Sequence, residues 1–445
     1  MTVTAAIILI AIYHWQFTSW GLKAGFTYDD LMNLGRSIQF PIAQVLKELG
    51  WFFGSSDLYR PLGELWYRLI YEVFGPSPPA YRVAIQVLLA IDVLLASRFF
   101  YLVTRDLLTT LLATLAFSHL PTLAVFYFNT GMVFDLLCFA FYFGAANFYL
   151  KRRLAGMLLS YREGAVFWVL LILALNSKEM ATTLPVVLLA SELTIPGDWT
   201  WRRLLPLAVG SICVAAFVFG RVYGPNGIGK LGGGYHTEYT VTRFLHQGKV
   251  LLSEFFLQHP KGNGALLFLG FIAVTLVAIL VKDRAPKIGL ICAVVGVLPI
   301  VFLDRGLAAA YVALPGWILV CAWLVVQVFV KLLRTPAVIV FLALFGLLWT
   351  QSSNWRIPED AALEEGRYIA GVMADVRSLN LKPPQGARIL LITDPFALHS
   401  RWDTTFMFMI LFKRSQFQVD RPPGAGLYHA VLTYEDGHVR RLSNP

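Results

Sequence analysis

Eleven apolar segments run through this chain of 445 residues. They cover about 2–19, 81–103, 107–127, 131–150, 164–176, 179–194, 203–222, 263–281, 286–303, 306–329 and 335–350. A helix that crosses a bilayer needs about 20 mainly apolar residues. The shorter segments are expected to be tilted, bent or only partly spanning. Charged residues are 14% of the chain and hydrophobic residues 57%, where soluble domains carry roughly 25% charged residues. So few charges cannot coat a water-soluble globule of this size. The expected fold is an all-α polytopic membrane protein of about eleven transmembrane helices. The first segment has no basic residues before it and no small-residue cleavage site, so it is expected to stay as a helix.

The net charge of +10 does not point to nucleic acid. The basic residues are spread as punctuation between apolar segments. Arg98 with Arg105, Lys151-Arg152-Arg153 with Arg162, Arg202-Arg203, Lys282-Arg284-Lys287, and Lys331 with Arg334 fall at every second loop. Cytoplasmic loops are enriched in Lys and Arg. The expected orientation is an N-terminus inside, eleven crossings and a C-terminus outside. The four cysteines, Cys138, Cys213, Cys292 and Cys321, lie far apart in apolar runs. They are expected to be buried apolar side chains, not a disulfide or zinc framework.

Residues 1–350 then form the membrane domain, with long outer stretches at about 20–80 and 223–262. Residues 351–445 are expected to be a small extracytoplasmic α/β domain. Apolar positions at Ile369, Val372, Val376 and Leu379 have helical spacing over 358–380. Arg388–Thr393 has the pattern of a buried strand, 402–413 looks helical, and Tyr428–Tyr434 with His438–Leu442 predicts a hairpin turning at Asp436-Gly437.

Several residues in the outer stretches suit group-transfer chemistry. Asp29 and Asp30 are adjacent carboxylates beside a membrane surface. One can take a proton from a hydroxyl while its neighbour orients a substrate or tunes it; in a plain loop they would only cap a helix. Arg60 shares that stretch and has the geometry to pair with phosphate, although an interfacial arginine among Trp51, Trp66 and Tyr67 is the simpler role. Lys178 and Glu179 interrupt apolar segments, where charge is costly and function is the default. Asp304-Arg305 also falls outside, as a surface pair or a site. His236 is more often structural than catalytic. Asp92 and Asp135 are intramembrane acids, and Asp135 lies near the outer end of its helix. The stretch Gly224–Leu231 imitates a phosphate loop but lacks its Ser/Thr and a preceding strand.

Carboxylates and cations facing one membrane surface suit transfer of a group carried on a lipid phosphate. The chain resembles the GT-C integral-membrane glycosyltransferases, in particular the protein O-mannosyltransferase branch and the related transmembrane and tetratricopeptide-repeat mannosyltransferases. The matching pieces are Tyr28-Asp29-Asp30, Tyr59-Arg60-Pro61-Leu62 with Phe74-Gly75, Ser177-Lys178-Glu179 before Thr183-Leu184-Pro185, and Asp304-Arg305 through Leu314-Pro315. The resemblance implies a polyprenyl-phosphate sugar donor, a mannose-like hexose, an outward-facing site, and inversion at the anomeric carbon in a bacterial plasma membrane. It implies Asp29 as base and Asp30 as helper or acceptor contact. Arg60, Lys178, Glu179, Arg305 and His236 become donor phosphate or sugar ligands. No metal is required, with a divalent cation (Mg or Mn) left open. The acceptor is a hydroxyl on protein, lipid or glycan. Where the repeat-bearing relatives carry His and Asn after Phe-Gly, this chain has Arg82 and Gln86, and it has no repeat tail. The competing readings are a transporter or lipid flippase lined by Asp92, Asp135 and Lys178, and a scaffold with a degenerate transferase core.

Overall fold

The computed structural model describes residues 2–442 apart from 51–59, 224–237, 257–263, 355–356, 414–416 and 425. His236 and the 224–231 stretch therefore lie outside the described residues.

Every expected apolar segment contains a helix, although 286–303 leaves its helix after Val297. The first is α1 (Val3–Thr18). Three amphipathic helices follow in the first outer stretch: α2 (Tyr28–Gln39), α3 (Ile42–Gly50) and α4 (Pro61–Phe74). Proline at the first position of α4 costs no hydrogen bond, because that N–H has no helical partner anyway. Next come α5 (Pro78–Thr104), α6 (Leu107–Ser118), α7 (Val125–Phe128) and α8 (Val133–Arg153). The basic triplet 151–153 ends α8 and meets its negative dipole end. Then come α9 (Tyr161–Ser177), α10 (Leu184–Glu192), α11 (Trp201–Tyr223), α12 (Val241–Phe255), α13 (Gly264–Leu280), α14 (Arg284–Val297), α15 (Leu314–Val325) and α16 (Ala337–Asn354).

By length and composition, six of the described helices can each cross a membrane, or seven if the pair bent by 47° between Ser118 and Pro121 is one span. The rest are short. The sixth expected segment is broken: a 3₁₀ turn covers Glu179–Thr183, and α10 has only nine residues, about 14 Å against a hydrocarbon core of about 30 Å. Lys178 and Glu179 explain the break, since both turn away from the helical path to meet partners. The expected orientation rests on the loop charges rather than on a count of long helices. Between the helices, aromatic side chains interlock. Phe139 sits 4.4 Å from Phe143 and 4.7 Å from Tyr311, ring centre to ring centre, a spacing at which offset rings attract.

The C-terminal region is α17 (Ile357–Ser378), β1 (Arg388–Leu391), α18 (Arg401–Phe412), β2 (Gln418–Asp420), β3 (Ala430–Glu435) and β4 (His438–Leu442). The sheet order is β2-β1-β3-β4, with β1 parallel to both neighbours and β3 antiparallel to β4. Asp436 and Gly437 both have positive φ (51° and 80°), the backbone a two-residue hairpin demands. Ile369, Val372 and Val376 are buried on one stripe of α17.

This region docks on α2 and α4. Helix α18 packs on α2. Tyr71 donates its hydroxyl to the Ile410 carbonyl at 2.7 Å, and Lys413 pairs with Glu72 at 2.8 Å. Gly25 and Gly366 let two backbones touch: a Cβ on Gly25 would meet the Gly366 carbonyl oxygen at 2.6 Å. Any side chain there would push α17 off the turn that carries Asp29.

Candidate active site

Thr27 opens α2 with a capping box. Its hydroxyl accepts from the Asp30 N–H, and the Asp30 carboxylate accepts from the Thr27 N–H at 2.8 Å. The helix therefore starts so that Asp29 and Asp30 share its first turn. Successive residues on a helix point about 100° apart, which sends the two carboxylates to different places.

Asp30 points inward and is fully buried. One oxygen takes the Thr27 N–H and an ion pair from Arg82 Nη2 at 2.7 Å; the other takes the Thr130 N–H at 2.7 Å and the Thr130 hydroxyl. Both oxygens are filled. Arg82 also donates to the carbonyls of Ala24 and Gly25. This corrects the expectation that Asp30 contacts the acceptor: no lone pair is left for it. Asp30 instead joins three chain segments beneath its neighbour.

Asp29 is exposed. Its Oδ2 accepts from Asn129 Nδ2 at 2.8 Å, and its backbone carbonyl from Asn33 Nδ2 at 2.8 Å. It lines a cavity of about 510 Å³ together with Arg60, Asp135, Lys178, Glu179 and Arg305. Every expected site residue that is described, apart from Asp30, borders this one space. The cations do not stand alone. Arg60 forks onto Glu179, with Nη2 to Oε2 at 2.9 Å and Nε to Oε1 at 3.4 Å, and its guanidinium lies 5.4 Å from the Phe134 ring centre. Lys178 pairs with Asp135. Arg305 lines the cavity while its carbonyl accepts from Gln247; its neighbour Asp304 is exposed and pairs with Arg243 at 3.4 Å. Asp92 is buried in α5 and does not line the cavity. No group of three His, Cys, Asp or Glu side chains suited to hold a metal occurs among the described residues.

Beneath the rim, Glu64 is 2% exposed and its Oε2 has no hydrogen-bond partner. Burial pushes its carboxyl up to about 7, against the pull of Arg36 and Arg60.

Asp29 also faces a second space. A cavity of about 760 Å³ lies between α2 and α18, bordered by Tyr28, Asp29, Arg36, His399, Trp402 and Asp403. The Tyr28–Asp29 turn is clamped from this side. Glu365 on α17 accepts from the Tyr28 N–H at 2.8 Å, and the His399 ring stacks on Tyr28 at 4.0 Å and 13°. Burial, then the nearby Glu365, Asp403 and Asp394, push the Tyr28 hydroxyl up; burial likewise raises Glu365 and Asp403.

Sequence reasoning missed Asn129, Thr130, His399, Asp403 and Glu365 and gave Arg82 no role. Asn129 and Thr130 meet the aspartates across 100 residues, and Glu365 meets Tyr28 across 337. No spacing pattern links positions that far apart.

The chain is similar to solved structures over nearly its whole length. ArnT from Cupriavidus metallidurans, solved bound to undecaprenyl phosphate, has a TM-score of 0.55 at 12% identity, over 94% of this chain and 86% of that one. The oligosaccharyltransferase of Archaeoglobus fulgidus has a TM-score of 0.53 at 13% identity, over 95% of this chain and 65% of that one. The fold is GT-C-like. At such identity the likeness fixes the arrangement of helices and leaves the chemistry to the residues. The archaeal oligosaccharyltransferase AglB, solved with an inhibitory peptide and a dolichol-phosphate, has a TM-score of 0.50 at 12% identity, over 93% of this chain and 64% of that one. No family model matches the sequence, and no curated protein matches it significantly.

Proposed function

We propose that this protein is an inverting glycosyltransferase of the outer membrane face, taking a sugar from a polyprenyl-phosphate carrier and placing it on a hydroxyl. The observation that carries the reading is the position of Asp29. It is an exposed carboxylate at the junction of a cavity edged with cations and a cavity edged by the C-terminal region. Two neighbours of the same fold were solved with polyprenyl phosphates bound, which supports a donor of that class here.

In the proposed step the acceptor enters from one side of Asp29 and the donor phosphate lies on the other. Asp29 takes the proton from the acceptor hydroxyl. The freed oxygen pair attacks the anomeric carbon as the bond from that carbon to the phosphate oxygen breaks. Its electron pair leaves with the polyprenyl phosphate. Attack opposite to departure inverts the configuration. Arg60, Lys178 and Arg305 neutralise the charge that grows on the phosphate. Glu179 and Asp135 keep Arg60 and Lys178 in place, because an unpaired cation in a low-dielectric wall is costly. A phosphate then competes with Glu179 and Asp135 for them. Three such cations give the leaving group the charge a divalent ion would supply, so transfer is expected to persist in chelator. A mannose-like hexose is the favoured sugar, and a bacterial plasma membrane with the C-terminal region outside is the favoured setting.

The test incubates purified protein with a panel of labelled polyprenyl-phosphate sugars and native lipid extract. Release of label from the carrier by the wild type, lost in Asp29→Asn, supports the reading. Equal release by both proteins overturns Asp29 as base.

A further inference from the structure

His399 has two of its contacts fixed and one side open. Its Nδ1 lies 2.6 Å from Asp403 Oδ2, and Asp403 is 4% exposed. So close a carboxylate keeps the proton on Nδ1. One face stacks on Tyr28. Nε2 has no protein partner among the described residues, and half of the side chain (51%) is exposed. With Nδ1 given to Asp403, Nε2 is the ring nitrogen left for a ligand hydroxyl. His399 shares two spaces with Asp29: the cavity between α2 and α18, and a smaller one of about 370 Å³ that also includes Asn129 and Glu365.

Asp29 and His399 therefore present hydrogen-bonding atoms to one space. Asp29 Oδ2 is held by Asn129, which leaves Oδ1 for a reacting hydroxyl. His399 Nε2 calls for a second hydroxyl. A Ser or Thr side chain brings one hydroxyl. A sugar ring brings several on neighbouring carbons. The remaining lining fits the same ligand. Trp402 (66% exposed) and Phe406 offer apolar faces to ring C–H groups, and Gln39 and Gln418 offer amides to further hydroxyls. A volume of about 760 Å³ is within the usual size of small-ligand pockets, about 300–1,000 Å³.

We infer that the acceptor is a saccharide, seated between α2 and α18, with one hydroxyl on Asp29 and another on His399 Nε2. His399 is thus a specificity residue of the acceptor and Asp403 a positioning residue acting through it. The inference rests on the transferase reading above and adds to it the class of acceptor.

The experiment uses the full chain in lipid nanodiscs, a labelled polyprenyl-phosphate sugar, and membranes of its native cell as acceptor source. His399→Phe keeps a ring to stack on Tyr28 but has no nitrogen. It is expected to transfer at least about tenfold less, the worth of a hydrogen bond lost in the transition state. Its affinity for polyprenyl phosphate is expected to stay within about twofold, since His399 does not line the cavity that holds the cations. His399→Gln, with a polar atom near the Nε2 position, is expected to fall between. Trp402→Ala, at the exposed rim, is expected to raise the acceptor KM with kcat little changed. The transferred label should survive protease and migrate with saccharide. Full transfer by His399→Phe overturns the inference. So does label that protease releases on Ser or Thr, label that partitions as lipid, or donor affinity that falls as far as transfer. Asp29→Asn in the same assay separates the two claims: if it transfers normally, the transferase mechanism fails first.

Discussion

Two charge clusters border opposite ends of α8, about 27 Å apart at 1.5 Å per residue, and they use the same residue types. At one end Glu192 is fully buried between Arg153 (2.8 Å) and Arg203 (2.5 Å), with the Tyr149 hydroxyl donating at 2.8 Å. Arg203 spends its other donors on the carbonyls of Glu192, Ile195 and Gly197. These groups tie α8 to α10 and to α11, and none of them lines the cavities described above. At the other end Lys178 with Asp135 and Arg60 with Glu179 make pairs of the same kind, but all four side chains line a cavity. A closed cluster has no bonding capacity left and can only hold helices together. An open one can exchange a carboxylate for a phosphate. Asp30 and Asp29 repeat this contrast within a single helical turn: Asp30 is closed, Asp29 open.

The contrast is broken or sharpened by five substitutions, in falling order of effect. Asp29→Asn should lower transfer by about 10²–10⁴-fold, the usual worth of a general base, with thermal stability close to wild type; activity and melting curves on one preparation check both. Glu192→Gln and Asp30→Asn should each lose about 3–5 kcal/mol of stability, since each leaves buried arginine charge unbalanced. Glu192→Gln should leave donor KM unchanged in whatever fraction folds, and a donor KM that rises with it would break the contrast.

Glu64 gives a pH signature. Its carboxyl is raised from 4.5 to about 7 in the folded protein. Between those values the folded state holds a proton that the unfolded state has lost. Wild-type stability should therefore fall as pH rises from about 5 to 7 and level off above, by up to about 3 kcal/mol. Glu64→Gln should remove most of that slope in melting curves taken across the range. Arg60→Ala should have the smallest effect on the fold, about 1 kcal/mol, while raising donor KM by about tenfold. Its partner Glu179 is only partly exposed (20%), so losing the ion pair should cost less than losing one in the closed cluster.

The helical frame was legible because hydropathy is local: each expected segment contains a helix. The aspartate pair was legible because two adjacent acids after an apolar run need a reason. The division between them was not. It depends on Arg82 and Thr130, which lie 52 and 100 residues from Asp30, and only the folded chain shows which carboxylate they fill. The tail's two helices and hairpin were legible from period and turn residues, while β2 was missed because three residues carry too little pattern. That α18 packs on α2 was also hidden, because its apolar residues announce burial but not against what. His399 and Asp403 have the spacing of neighbours on a helix, a pattern too common to mark a site until Tyr28 is placed beneath the ring.

The most direct test of the central claim is chemical rescue. Asp29→Ala removes the base and leaves Asp30, Arg82 and the cation pairs untouched. Transfer by this variant should be lost and then return as formate is added to serve as base in the vacated space. Transfer by Asp29→Ala at the wild-type rate without formate would contradict the account.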